Sequence, residues 1–304
     1  MKQNATRLIL VIGGTGVQGG NVARELLAHG YSVRVLTRNP DSASAKRIAE
    51  KGAEIAQGDM GDLSSLEPAM KGVSAIFSAQ YSDPRDHTVE TRNASNMVKA
   101  AQRAGVEQIV HTSVAGSNQF PRWDKYQMIA DYNDQKYYVE ELVRNGGFPS
   151  WTILHPCYFM ENFSEPLVSV MAPELKHGVL FSTLGADVPI KLSCGEDTAR
   201  LARAAFEDPV KYGSKDINVA SDELSMNQIA ATLYSVLGKK VVYEQVSHEE
   251  AVQRGLMEGT VYGQEWMEDV PGFGFSLSET AQYGVPLQSF EKWAIKNRDK
   301  IIVD

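Results

Sequence analysis

Cysteine is nearly absent: Cys157 and Cys194 are the only two in 304 residues. Two such distant thiols build no disulfide framework and no paired metal-ligand motif, and they suit a reducing compartment. Long apolar runs are missing too. Leu8–Ile12 ends in glycines, is too short for a signal-peptide core, and falls far below the roughly 20 residues that span a bilayer. Basic blocks are lacking, since Lys and Arg occur singly or in pairs such as Lys239-Lys240, and 38 acids outnumber 30 bases for a net charge of −8. No stretch can neutralise a run of phosphates, so no nucleic-acid partner is expected. Six histidines (His29, His87, His111, His155, His177 and His248) show no H-x-x-x-H spacing, which leaves a metal site unsupported. The phosphate loop G-x-x-x-x-G-K-[ST] is absent, with Gly20-Asn21 where the lysine would stand, and no G-x-S-x-G elbow marks a serine hydrolase. A cytoplasmic, globular chain with no membrane segment and no metal is expected.

What is present is a rhythm. Apolar runs of strand length alternate with helical periodicity: strands at Leu8–Ile12, Ser32–Leu36, Glu54–Ala56, Ser74–Ser78, Gln108–Thr112 and Trp151–Leu154 are separated by helices at Val17–His29, Asp41–Lys51, Leu63–Met70, Val89–Ala104 and Asn133–Arg144. Repeated β-α units with short connections make parallel strands joined by right-handed crossovers. The fold class predicted is therefore α/β, a Rossmann-type doubly wound parallel sheet over residues 1–156. Past Pro156 the rhythm breaks and prolines punctuate the chain. Residues 157–304 are expected to form a smaller mixed α/β region on the substrate side, with later strands completing the sheet. Helices are predicted there at Thr198–Phe206, Met226–Leu237 and Phe290–Asn297, and a strand at Val241–Gln245.

Between the first strand and first helix lies Gly13-Gly14-Thr15-Gly16-Val17-Gln18-Gly19-Gly20. Glycines at 13, 14, 16 and 19 fit a turn tight enough for backbone to approach a pyrophosphate, and the helix beyond would point its open N–H groups at that charge. The spacing thus points to a dinucleotide. A site preferring NAD(H) places a carboxylate about 20 residues on, for the ribose 2′-hydroxyl. This chain has Arg38, whose guanidinium suits a 2′-phosphate, so NADP(H) is expected over NAD(H). Asp59, in Gln57-Gly58-Asp59-Met60, suits an adenine edge or a helix cap, although Asp62 is better placed for the cap.

Tyr132 and Lys136 have the spacing Y-x-x-x-K, which brings a phenol and an ammonium to one helical face. Tyr132 could then exchange a proton with a carbonyl oxygen while hydride moves to or from a nicotinamide. Lys136 would favour the phenolate and hold ribose hydroxyls, and Ser113 at the end of the fifth strand could orient the carbonyl. Such spacing also arises by chance in a chain with 12 tyrosines, and a surface aromatic is the plain alternative for Tyr132. Cys157 is read as a reactive thiol near the nicotinamide or, more simply, as a buried inert one. Tyr158, Phe159 and Phe163 read as pocket wall or as core.

The Gly13–Gly20 loop, Val33-Arg34-Val35-Leu36-Thr37-Arg38-Asn39-Pro40, Gln57-Gly58-Asp59, Pro156-Cys157-Tyr158-Phe159-Met160-Glu161-Asn162, Asp187-Val188-Pro189 and Pro209-Val210-Lys211-Tyr212 together resemble the NmrA-like branch of the atypical short-chain dehydrogenases/reductases. The resemblance covers nearly the whole chain. It implies an NADP(H)-binding Rossmann half, with Gly13, Thr15, Gly16, Val17, Gln18, Gly19, Arg38, Asp59, Met60, Lys136 and Tyr158 as cofactor contacts. It also implies one of two activities: reduction of quinones or other small acceptors, or redox sensing through a protein partner without turnover. Many sensor-like members lack the tyrosine and keep the lysine. Ser113, Tyr132 and Lys136 together therefore tilt the expectation towards an NADPH-dependent reductase of a small carbonyl or quinone. A homodimer pairing Val89–Ala104 with Asn133–Arg144 is one arrangement open to the chain; the same faces could instead meet solvent.

Overall fold

Leu8–Ile12 carries no polar side chain, and Ile9 to Ile12 are buried, as a strand covered on both faces requires. The computed structural model describes residues 7–83, 85, 86, 88–117 and 127–304, with backbone alone at 127–130, 271 and 272; His87 lies outside the described residues. The chain runs β1 (Leu8–Ile12), α1 (Val17–Ala28), β2 (Ser32–Thr37), α2 (Ala43–Ala49), β3 (Glu54–Gln57), α3 (Leu63–Met70), β4 (Ala75–Ala79), α4 (Val89–Ala104), β5 (Gln108–Thr112), α5 (Gln127–Arg144) and β6 (Ser150–Pro156). It continues through β7 (Tyr158–Phe159), α6 (Val168–Met171), β8 (Val179–Ser182), β9 (Ile190–Ser193), α7 (Gly195–Glu207), α8 (Pro209–Tyr212) and β10 (Lys215–Val219). Last come β11 (Asp222–Leu224), α9 (Met226–Leu237), β12 (Val242–Gln245), α10 (His248–Gln253), α11 (Glu258–Asp269), α12 (Leu277–Ala281) and α13 (Phe290–Lys296).

Seven strands form the central sheet in the order β3-β2-β1-β4-β5-β6-β10, a Rossmann-like α/β arrangement. The pairs from β3 to β6 are parallel. At β10, Ser214 N–H donates to the Trp151 carbonyl (2.7 Å) and Cys157 N–H to the Val219 carbonyl (3.1 Å), so both chains rise together. The strand order reverses at β1, which puts a crevice beyond the carboxyl ends of β1 and β4.

Local chemistry sets the element ends. Asp62 caps α3 by accepting from Ser64 N–H, and Gly105 closes α4 with φ +71°, a conformation a side chain would disfavour. The helix expected from Asn133 begins earlier, at Gln127, because no Gly or Pro interrupts 127–144 and Gln, Met and Ala favour helix. Tyr132 and Lys136 therefore stand inside one continuous helix.

The chain divides into two compact units: Met1–Asn118, Asp131–His155 and Thr198–Ile217 form the first, and Gln119–Ala130, Pro156–Asp197 and Asn218–Asp304 the second. In the first, Leu10, Leu66, Met70, Ile76, Met97, Ile109 and Ile153 share one core. Each such side chain contributes about 1.5–3 kcal/mol by leaving water. In the second, β11-β9-β7 form one small sheet and β12-β8 another. Tyr158, Phe163, Phe290 and Trp293 follow one another there at ring separations of 5.9, 5.5 and 5.7 Å. Among the described residues no helix is long and apolar enough to cross a membrane.

Candidate cofactor and catalytic site

Packing inside the chain explains most glycines of the loop after β1. Gly13 has φ +77°, and a Cβ there would meet the Ala79 carbonyl oxygen at 2.9 Å; one on Gly14 would meet Val35 at 2.7 Å; one on Gly19 would overlap the Gly13 carbonyl. Gly16 differs. Its backbone is extended (φ −94°, ψ −172°), open to any residue, and a Cβ would meet only the Gly13 carbonyl oxygen, at 3.4 Å. Among the described residues nothing requires glycine there, which leaves the loop open to an approach from outside.

Gly16 is also the N-cap of α1. It offers no side-chain acceptor to the first-turn N–H groups, and no acidic residue stands in that turn. An exposed, uncapped end of a 12-residue helix suits an anion such as a diphosphate. Thr15 is exposed and Val17 half-buried at this opening. The Gln18 side chain is occupied, accepting from the Thr112 hydroxyl at 2.7 Å and tying the loop to the end of β5.

Arg38, at the end of β2, is exposed, and among the described residues its guanidinium has no ion-pair or hydrogen-bond partner. It lines a cavity of about 400 Å³ with Gln57, Gly58, Asp59 and Ser65. Asp59 is exposed and accepts from Gly61 N–H (2.8 Å), and Asp62 does the capping. Met60 packs against the core through a half-buried side chain, and its carbonyl accepts from Asn96 (2.9 Å). Loop, cap and cavity all belong to the first unit and fit the diphosphate, ribose and adenine of a dinucleotide. Tyr158 belongs to the second unit, where burial pushes its phenol up to about 12. Cys157 and Cys194 are buried there, neither in a disulfide, and burial pushes both thiols up, which makes them poor nucleophiles.

On α5, Tyr132 is 39% exposed, and the Lys136 ammonium lies 5.1 Å from its ring centroid. The ammonium itself is buried and donates to Glu90 Oε1 at 2.6 Å. Ser113 is not joined to this pair. Its hydroxyl donates to Glu140 Oε1 at 2.5 Å, and the Ser117 hydroxyl donates to the same oxygen at 2.6 Å. Orienting a carbonyl would require Ser113 to release a buried carboxylate. His111, on β5, is buried, and among the described residues neither ring nitrogen has a hydrogen-bond partner; burial, and then the Lys136 charge, push it down to about 4, so it is neutral at pH 7.

Glu140 anchors a second network. Beyond the two serines, His155 Nε2 lies 3.1 Å from Oε1, and Arg144 donates to Oε2 (2.8 Å) and to Asp216 (2.5 Å). Glu140, His155 and Asp216 cluster closely enough for a metal, but the Arg144 cation already bridges the two carboxylates. Glu90, Ser117 and Glu140 carried no motif. The stripe Lys136-Glu140-Arg144, spaced four apart on one helical face, was the available signal for Glu140.

Burial alone would raise the Glu140 carboxyl, but His155 and then the serine hydroxyls bring it from 4.5 down to about 2. A depressed carboxylate contributes stability that is complete above its unfolded value and lost as pH falls through the folded one. Melting temperature is therefore expected to fall between pH 4.5 and about 2, with a Glu140 contribution of about 3 kcal/mol. Glu140→Gln should flatten that slope in thermal melts; an unchanged slope removes Glu140 from the account.

A doubly wound sheet with a diphosphate-ready loop at its reversal point defines a dinucleotide-binding α/β protein. The NmrA-like family model matches residues 5–282, and the chain belongs to that family. An NmrA-like family domain-containing oxidoreductase, malD, from Malbranchea aurantiaca is 31% identical over 254 residues, covering 78% of this chain and 75% of that protein. Among solved structures, the Escherichia coli NADPH-dependent quinone oxidoreductase QOR2 complexed with NADPH has a TM-score of 0.75 at 24% identity, over 96% of this chain and 100% of that one. NmrA, a negative transcriptional regulator in complex with NADP, has a TM-score of 0.74 at 19% identity, over 96% of this chain and 95% of that one.

Proposed function

We propose that the protein binds NADP(H) and reduces a small carbonyl or quinone. The observation that carries the reading is a half-exposed phenol, Tyr132, with the buried Lys136 ammonium 5.1 Å from its ring on one helix face. Gly13–Gly19 and the α1 N-terminus would hold the diphosphate, Arg38 a 2′-phosphate, Asp59 the adenine edge and Lys136 the ribose hydroxyls, with Met60 as a further contact. A bound nicotinamide supplies the hydride. Tyr132 donates its proton to the acceptor oxygen, so a carbonyl leaves as an alcohol, and the Lys136 charge stabilises the phenolate left behind. Turnover of NADPH with such acceptors tests the whole reading.

The cofactor preference has its own test. Among the described residues the Arg38 guanidinium has no partner, so Arg38→Ala should leave folding intact and lose the charge-assisted bonds to a 2′-phosphate. NADPH affinity should fall by about 10- to 100-fold, with NADH affinity nearly unchanged, in fluorescence titrations. Equal losses for both cofactors would mean that Arg38 does not read the 2′-phosphate.

One observation favours a second reading, a cofactor sensor acting through a protein partner. Lys136 and Ser113 are both satisfied from within, by Glu90 and Glu140, and one structural neighbour is a regulator complexed with NADP. A sensor requires different conformations with NADPH and NADP⁺; identical limited-proteolysis patterns in the two would count against it.

A further inference from the structure

An ammonium taken out of water without a counter-ion tends to lose its proton near neutral pH. Lys136 is 7% exposed, yet it has a counter-ion that no motif announced. Glu90, in the first turn of α4 and 1% exposed, takes the ammonium on Oε1 at 2.6 Å and the Ser82 hydroxyl on Oε2. A helix N-terminus favours a carboxylate, and the α4 N-terminus, Ser82 and Lys136 all meet Glu90 here.

Among the described residues, no other side chain accepts a hydrogen bond from the ammonium. Tyr132 and Glu140 flank Lys136 on α5, one turn to either side, and His111 faces it from β5 with His155 of β6 beyond. Glu140 is taken by Arg144, His155 and two serines, and His111 is neutral at pH 7.

We propose that Glu90 is a positioning residue of the reductase site: its carboxylate keeps Lys136 charged and fixes the ammonium beside Tyr132. This rests on the reading of Tyr132 and Lys136 given above. Burial pulls Lys136 down, but Tyr132 and then Glu90 hold it above its ordinary 10.5. Removing the Glu90 charge takes away both its attraction and its hydrogen bond from the groups that oppose desolvation, so Lys136 must titrate at lower pH.

The direct test is a carbon-13 titration of the whole protein labelled at lysine Cε, with the Lys136 signal assigned by its loss in Lys136→Arg. Glu90→Gln should lower the Lys136 midpoint by about two units. Glu90→Asp, which keeps a carboxylate on a shorter stem, should lower it by about one unit. A midpoint unmoved in either folded variant overturns the proposal, and either variant suffices if the other fails to fold. In turnover assays, the alkaline fall of kcat should move down with the Lys136 midpoint in Glu90→Gln and largely recover in Glu90→Asp. A lowered midpoint in a protein that turns over no acceptor would leave Glu90 as the keeper of the charge and remove the reductase reading. Turnover with an unmoved midpoint would do the reverse.

Discussion

Tyr132→Phe is expected to lower kcat for a carbonyl acceptor by about 10²–10⁴-fold, the usual contribution of a positioned proton donor, while NADPH affinity changes little. Tyr132 is 39% exposed, so removing one oxygen opens no core cavity and stability should hold. The Lys136 ammonium keeps Glu90 as its partner in the variant, so the charge near the ring persists. Loss of rate at constant affinity is the signature of an interaction made only as the reaction proceeds. For a quinone the loss should be smaller, because hydride transfer to a quinone depends less on a general acid. An unchanged rate with every acceptor would return Tyr132 to the role of a surface aromatic.

The second large effect concerns Gly16. Because a Cβ at this position meets nothing closer than 3.4 Å, Gly16→Val should fold, with a melting temperature lowered only by the cost of about 1 kcal/mol for valine at a helix N-cap. The added methyl groups would occupy the space a diphosphate must enter, at a cost of about 3 kcal/mol or a 100-fold loss of NADPH affinity. Gly19→Ala is the contrast, since its Cβ overlaps the Gly13 carbonyl and should lower the melting temperature. Calorimetry and cofactor titration on the two variants separate a glycine kept for a ligand from one kept for packing. A Gly16→Val protein that binds NADPH normally would take the diphosphate away from this loop.

Much of the first unit was legible because its signals are local. Leu8–Ile12 announces a strand by having no polar face, and Asp62 announces a helix start. The loop glycines were legible as a pattern, but only coordinates separate Gly16 from Gly13, Gly14 and Gly19, because the separation depends on what lies across the turn. The strands of the second unit were mostly missed: β7 has two residues, β11 three, β8 and β9 four, too short for alternation to register. The site was half legible. Y-x-x-x-K brought out Tyr132 and Lys136, whereas Glu90 is 46 residues from its partner and reads as an ordinary first-turn acid. Ser113 was read by position alone, and position could not show that Glu140 holds its hydroxyl.

NADPH oxidation by the purified protein, followed through nicotinamide absorbance against quinones, aldehydes and ketones, tests the central claim most directly. The account predicts saturable turnover with NADPH on at least one acceptor class, much weaker turnover with NADH, and loss of the carbonyl reaction in Tyr132→Phe. Tight NADPH binding without turnover of any acceptor would contradict it and point to a cofactor sensor.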